Sequence, residues 1–273
     1  MNARLAGRLG HLLGLLAVLA FTLFPFVWMV ASSFKDQTDI LASPPVWLFE
    51  PTFAHYAEVW ADRTVVHAIG NSLIVALATT ALAILLGAPA AYALARFEFK
   101  AKRELWFWFI TNRMVSPIVL ALPVFMLARQ LQLLDTQLVL ILIYLTFTLP
   151  IVVWICTDQF RSIPPELEQA ARLDGASQLT IFRRIYVPLG LPGIAVSGIF
   201  SFIFSWNELL YALVLTRRDA LTAPVVATSF MSGYELPWGK IMATGTLIVL
   251  PVVVFALLVS RHMIRGLTMG ATK

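Results

Sequence analysis

Charged side chains are scarce in this sequence. Asp, Glu, Lys and Arg make up 13% of its 273 residues, against about 25% in an ordinary soluble domain. That shortage excludes a water-soluble globule, whose surface has to be covered with charge. Cysteine is nearly absent: Cys156 stands alone, so no intrachain disulfide can form and no zinc-ligand spacing exists. It lies in an apolar run and reads as a small buried residue. His11, His55, His67 and His262 are scattered near the ends of apolar runs and form no metal or proton-relay pattern. A phosphate-binding loop is missing as well. Between Gly233 and Gly239-Lys240 there are five residues, followed by Ile241, where that loop requires four and then Ser or Thr. The chain is therefore not expected to be an enzyme that hydrolyses ATP. No internal repeat or low-complexity tract breaks it into modules.

What the sequence has is apolar length: 59% of the residues are hydrophobic. Runs of roughly 19 residues or more mark candidate membrane spans. Six are expected, at Leu12–Ser32, Ala68–Ala95, Leu105–Leu127, Leu138–Cys156, Pro188–Leu215 and Ile241–Ser260. Lipid leaves no backbone polar group unpaired without penalty, so these spans are expected to be helices. Arg4 and Arg8 ahead of the first run resemble the start of a signal peptide. That run continues from Leu12 to about Ala31 without a small-x-small cleavage site, so an uncleaved first span is expected.

The net charge of +5 bears on orientation, not on a nucleic-acid partner. With a cytoplasmic N-terminus, the inner segments carry Arg4, Arg8, Arg96, Lys100, Lys102, Arg103, Arg161, Arg172, Arg183, Arg184, Arg261, Arg265 and Lys273. The outer ones carry Lys35, Arg63, Arg129, Arg217, Arg218 and Lys240. A bias of 13 to 6 places both termini inside. The first outer loop, near residues 34–67, holds Pro44, Pro45 and Pro51 among aromatics and is expected to be an ordered surface segment. Residues 1–273 read as a single membrane domain.

The stretch between the fourth and fifth runs, about residues 158–187, is the most informative. Pro165 suits the first turn of a helix, and Glu166 and Glu168 favour its positive N-terminal end. Glu168 and Arg172 are four apart in the favourable order. Gly175 can take the left-handed stop conformation. Ser177 can cap a second helix, expected to end before Pro188. Leu167, Ala170, Ala171 and Asp174 share one face of the first helix, and its alanines leave a shallow surface that another protein can approach. Spacing alone leaves two readings open, a docking surface or a connector packed on its own span ends.

This stretch resembles the signature loop of permease subunits from bacterial ABC importers. The family pattern is Glu-Ala-Ala, three residues, Gly, nine residues, Ile, one residue, Leu-Pro. Ala170, Ala171, Gly175, Ile185 and Pro188 fall in register with it. Gln169 occupies the glutamate position and Val187 the leucine position. Glu168 does not substitute for the missing acid, because it projects about 100° away around the helix. Ser33-Phe-Lys35, Trp206-Asn-Glu208 and the tail from Arg265 are similar to the carbohydrate-uptake branch, and specifically to the smaller maltose-type permease subunit. The resemblance implies an all-α membrane protein with the type I importer fold of the methionine, molybdate and maltose permeases. It implies a multi-pass protein of the bacterial plasma (inner) membrane, forming a heterodimer with a second, homologous permease. It also implies an ATPase dimer that binds the ATP and Mg, an external solute-binding protein, and a sugar or polyol cargo. Leu167, Glu168, Gln169, Ala170, Ala171, Asp174 and Gly175 would then dock the ATPase.

Polar residues inside spans complete the candidates. Asn112, Arg113 and Ser116 fall in the third run, and Trp206, Asn207 and Glu208 in the fifth. A charge there costs at least about 2.5 kcal/mol on insertion. One reading has them line a sugar path, with Asn, Glu and Arg bonding hydroxyls and Trp offering an apolar face. The other has them pack structurally. Trp106 and Trp108 read as an interfacial belt. Gly190-Leu-Pro-Gly193 and Gly87-Ala-Pro89 read as close packing points or bends. A secondary carrier would need a functional acid deep in the bundle, and Glu208 is the one candidate. An intramembrane enzyme would need a nucleophile–base pair, and the span serines lack a neighbouring histidine.

Overall fold

The computed structural model describes residues 2–111, 115–232 and 236–269, and every regular element among them is helical. In chain order these are α1 (Asn2–Ser32), α2 (Gln37–Leu41), α3 (Ala54–Ala61), α4 (Arg63–Arg96), α5 (Lys102–Thr111), α6 (Pro117–Gln130) and α7 (Gln137–Arg161). Then come α8 (Pro165–Leu173), α9 (Gln178–Ile181), a π-helical turn (Phe182–Tyr186), α10 (Val187–Leu189), α11 (Leu191–Trp206) and α12 (Leu210–Leu215). After α13 (Ala223–Ser229) and a 3₁₀ turn, α14 (Trp238–Met269) closes the order.

Four of these helices contain stretches long and apolar enough to cross a membrane: Gly10–Ser32, Arg63–Arg96, Gln137–Arg161 and Trp238–Leu257. A fifth arises if the bent pair Gln178–Leu189 and Leu191–Trp206 counts as one. The expected third run differs. It holds two helices, α5 and α6, on either side of residues 112–114, and α6 is only 14 residues long. Pro117 explains the restart: its preceding residue avoids the helical region, and Ser116 is indeed extended, with ψ 128°. The expected fifth run also breaks, at Asn207–Leu209.

The chain divides into two compact units, Met1–Val66 with Ala227–Leu250, and His67–Val226 with Pro251–Lys273. In the first, the apolar stretch of α1 is unburied, which suits a helix whose solvent is lipid. The following segment is ordered, as its prolines and aromatics predict. Lys35 is only 2% exposed. Its ammonium donates to the Val46 carbonyl at 2.6 Å and lies 4.5 Å from the Trp28 ring and 5.1 Å from Phe49. Aromatic faces thus take the place of a carboxylate partner. Lys240 donates to Asp62 at 2.8 Å, a bond that holds the Asp62 carboxyl below its ordinary pKa.

In the second unit, α7 and α11 pack along each other. Gly190 marks the closest approach. A Cβ there would sit 2.3 Å from the Phe160 ring and 2.6 Å from the Tyr186 carbonyl. Gly87 lies similarly tight on Val152. The second loop helix does not end before Pro188, as its sequence suggests. Proline cannot donate to the preceding turn. The backbone widens into the π turn and carries Pro188 inside α10, then bends 75° into α11. One buried cluster joins Ala91 and Tyr92 of α4, Cys156 and Phe160 of α7, Ile181, Tyr186 and Ile194. A second joins Leu140 and Tyr144 of α7 to Tyr211 and Leu215 of α12.

Beside this second cluster, the loop after α12 is fastened by side chains. The Asp135 carboxylate accepts backbone N–H groups of Arg217, Arg218, Asp219 and Ala220 at 3.0–3.2 Å. Asn71 donates to the Asp219 and Leu221 carbonyls and accepts from Gln137. Burial raises the Asp135 pKa, but the four N–H donors outweigh it and hold the carboxyl at about 2.

Two outcomes follow. Gly190→Ala should lower stability by about 1–3 kcal/mol through overpacking, read as a lower thermal midpoint in detergent. The depressed Asp135 pKa contributes stability that is complete above the unfolded value near 4 and is lost as pH falls towards about 2. Asp135→Asn should therefore lower the midpoint at pH 7 and flatten its fall between about pH 4 and 2.

Candidate functional site

The loop at α8–α10 has the local geometry its sequence dictates. Pro165 opens α8, with Glu166 and Glu168 in the first turn and Arg172 in the last. Gly175 has φ +77°, the left-handed stop, and Ala176 N–H closes back on the Ala171 carbonyl at 2.9 Å. Ser177 caps α9 by accepting from Thr180 N–H at 3.3 Å.

The exposed side of α8 carries Gln169, Ala170 and Asp174, with Leu167 45% exposed and Leu173 91% exposed. Leu179 on α9 is 56% exposed. Sequence reading missed Leu173 and Leu179. The signal for Leu173 was available, since it follows Ala170 by three residues and so shares its face. Ala171 is half-buried and packs on the Tyr92–Phe160 cluster.

Glu168 requires a correction. It was grouped with the docking residues, yet it is 7% exposed and is the one buried residue of α8. Its carboxylate accepts from the Tyr186 hydroxyl at 2.7 Å and from Arg172 at 2.6 Å, and lies 3.9 Å from the Arg96 guanidinium. Gln169, at the signature glutamate position, stays exposed. The different directions expected for these neighbours are seen.

The second candidate is a cavity of about 770 Å³ between α5, α6, α7 and the break before α12. Its walls include Trp108, Leu120, Leu142, Thr146, Phe204, Asn207, Glu208 and Tyr211. Of the path residues expected from sequence, Asn207 and Glu208 reach it. Asn207 donates to the Ile203 carbonyl at 2.9 Å. Glu208 accepts the N–H groups of Tyr211 and Ala212 at 3.1–3.2 Å, so it both borders the cavity and caps α12. Trp206 does not line the cavity. It is 1% exposed and stacks on Phe202 with centroids 5.8 Å apart, so its face is spent on core packing. Ser116 is exposed between the cavity-lining Val115 and Pro117. Asn112 and Arg113 lie outside the described residues. Trp108, expected in an interfacial belt, is a cavity wall; Trp106 instead stacks under Arg161 at 5.1 Å.

Residues 83–269, which hold the loop and the whole cavity wall, match the family model "Binding-protein-dependent transport system inner membrane component". The chain belongs to this family of ABC transporter permeases. It is similar to the trehalose transport system permease protein SugB of Mycobacterium tuberculosis. The two are 39% identical over 259 residues, covering 94% of each chain. It is also similar to the trehalose/maltose transport system permease protein MalG of Thermococcus litoralis. That match is 32% identical over 277 residues, covering 100% of this chain and 99% of the relative. Among solved structures, a bacterial ABC transporter that imports the acidic polysaccharide alginate superposes with a TM-score of 0.78 at 23% identity. It covers 96% of this chain and 97% of that one. The apolar helices and the family together make this a multi-pass inner-membrane protein.

Gly175→Val places a β-branched residue in the left-handed region, at about 1–2 kcal/mol, with no clash around it. The α8–α9 turn should open while the protein still inserts and folds. The check is proteolytic cutting near residue 175, faster in the variant, against an unchanged yield in detergent.

Proposed function

We propose that this chain is the membrane-spanning permease subunit of an ATP-driven importer of sugars or polyols. The single observation that carries the reading is the outward face of α8. Ala170 and Leu173 stand exposed on a short helix fixed by Gly175, in the family's signature loop. Leu167, Leu173 and Leu179 are exposed together on this otherwise polar loop, and a grouped apolar patch rimmed by polar residues suits a protein partner.

In this reading the whole chain acts as one permease domain of six spans, the third and fifth broken, with both termini cytoplasmic. It pairs with a second, homologous permease. Leu167, Gln169, Ala170, Leu173 and Asp174 meet an ATPase dimer, which alone binds ATP and Mg; this chain performs no catalysis. The cavity bordered by Asn207 and Glu208 is its share of the translocation path. The trehalose and maltose names of the relatives support a carbohydrate cargo.

Mechanistically, ATP closes the ATPase pair and carries α8 with it. The spans swing from inward-open to outward-open, and a loaded binding protein favours the outward state. Each ligand needs only to bind one state better.

Burying a leucine is worth about 1.5–3 kcal/mol, and each 1.4 kcal/mol is tenfold in affinity. Leu173→Asp should therefore cut the ATPase recovered with the tagged chain by at least about tenfold. Full recovery would remove α8 as the docking element. For cargo, a thermal-shift screen of the cognate binding protein against sugars and polyols should give a shift. Shifts with amino acids alone would defeat the carbohydrate assignment.

A further inference from the structure

A surface helix ordinarily turns an apolar stripe toward the core. α8 is seated differently: its one buried residue is Glu168, while Leu167 and Leu173 face outward. Apolar contact from α8 to the bundle comes through half-buried Ala171. The remaining hold is polar and directional.

That hold reaches two places. The Tyr186 hydroxyl, at the end of the π turn, donates to Glu168 at 2.7 Å. Arg96, the last residue of α4, lies 3.9 Å from the same carboxylate. Arg96 also donates to the Ile163 carbonyl in the turn entering α8, and its guanidinium stands 5.0 Å over the Tyr186 ring. Arg172 occupies the other carboxylate oxygen at 2.6 Å. Tyr92, one turn before Arg96, packs tilted against Tyr186 with centroids 4.6 Å apart and donates to Gln178 at 2.9 Å. The Tyr186 bond to the ionised Glu168 is short and geometrically strict, while Arg96 faces the same carboxylate as an ion pair at 3.9 Å. A buried carboxylate is costly unless all its partners stay in place. A displacement of α8 thus either drags Arg96 and Tyr186 along or strands a buried charge.

We infer that Glu168 is a positioning residue that locks α8 to the end of α4 through Arg96 and to the α10–α11 bend through Tyr186, so that motion of α8 becomes motion of those two spans. The inference rests on the proposed docking of an ATPase on α8. Gln169 and Glu168 then divide the work: Gln169 faces outward, and Glu168 passes displacement inward.

The test uses the chain co-expressed with its ATPase and partner permease in nanodiscs. A reporter cysteine replaces Leu142 on the cavity wall; native Cys156 is buried and stays unlabelled. Labelling by a water-soluble maleimide is timed without nucleotide and after trapping with Mg-ATP and vanadate. The reporter chain should carry bound ATPase and change its labelling rate on trapping. Arg96→Met and Glu168→Gln should keep the ATPase bound and hydrolysing, but the ratio of the two labelling rates should fall to one. Arg96→Lys, which preserves the charge beside Glu168, should restore the ratio. A ratio unchanged by Arg96→Met and Glu168→Gln overturns the lock, and so does loss of the ATPase from either, which would make the pair part of docking. If the reporter chain binds ATPase but never responds, the alternating-access reading falls. If it binds none, the docking reading falls, and this inference falls with it.

Discussion

A carboxylate withdrawn from water must find its partners inside the protein, and Glu168 is such a carboxylate. Its needs fix where α8 sits, because α8 has no other buried side chain. Meeting them draws in the end of α4, the π turn and the segment entering α8. The helix can consequently show alanine and leucine outward without coming loose. A helix seated by leucines would have had to turn that same apolar surface inward.

The rest of the second unit makes this attachment rigid. Gly190 leaves room for Phe160 against the backbone, so α7 and the start of α11 pack closely. The π turn absorbs Pro188 and sets the 75° bend. At the other end of α7, Asp135 and Asn71 bind the loop after α12 by its own backbone groups. The cavity lies between these two fastened ends. Lipid supplies no attraction of its own between apolar helices, so small residues and satisfied polar groups hold the bundle.

Much of this was legible in the sequence. Apolar run length found the long helices α1, α4, α7 and α14. Pro165, Gly175 and Ser177 gave the loop's two helices and the turn between them, because caps and stops are local chemistry. The breaks in the third and fifth runs were less legible. Run length registers hydrophobicity, while Pro117 and the Asn207–Glu208 pair decide whether a run stays one helix. For Trp206 the sequence left path-lining and structural packing open, because composition cannot say which way a side chain points; its burial against Phe202 fits the packing alternative. Glu168 was grouped with the docking residues by its place in the signature loop, and only Tyr186 and Arg96, distant in sequence, show why it is buried. The Asp135 clamp gave no sequence signal, since its donors are backbone N–H groups more than eighty residues away.

The most direct measurement of the central claim is hydrogen–deuterium exchange across residues 165–179, with the chain alone and with its ATPase bound. Docking on α8 predicts slower exchange at α8 and α9 in the complex and little change along the lipid-facing side of α1. Exchange at α8 that is the same with and without a bound ATPase would contradict the account.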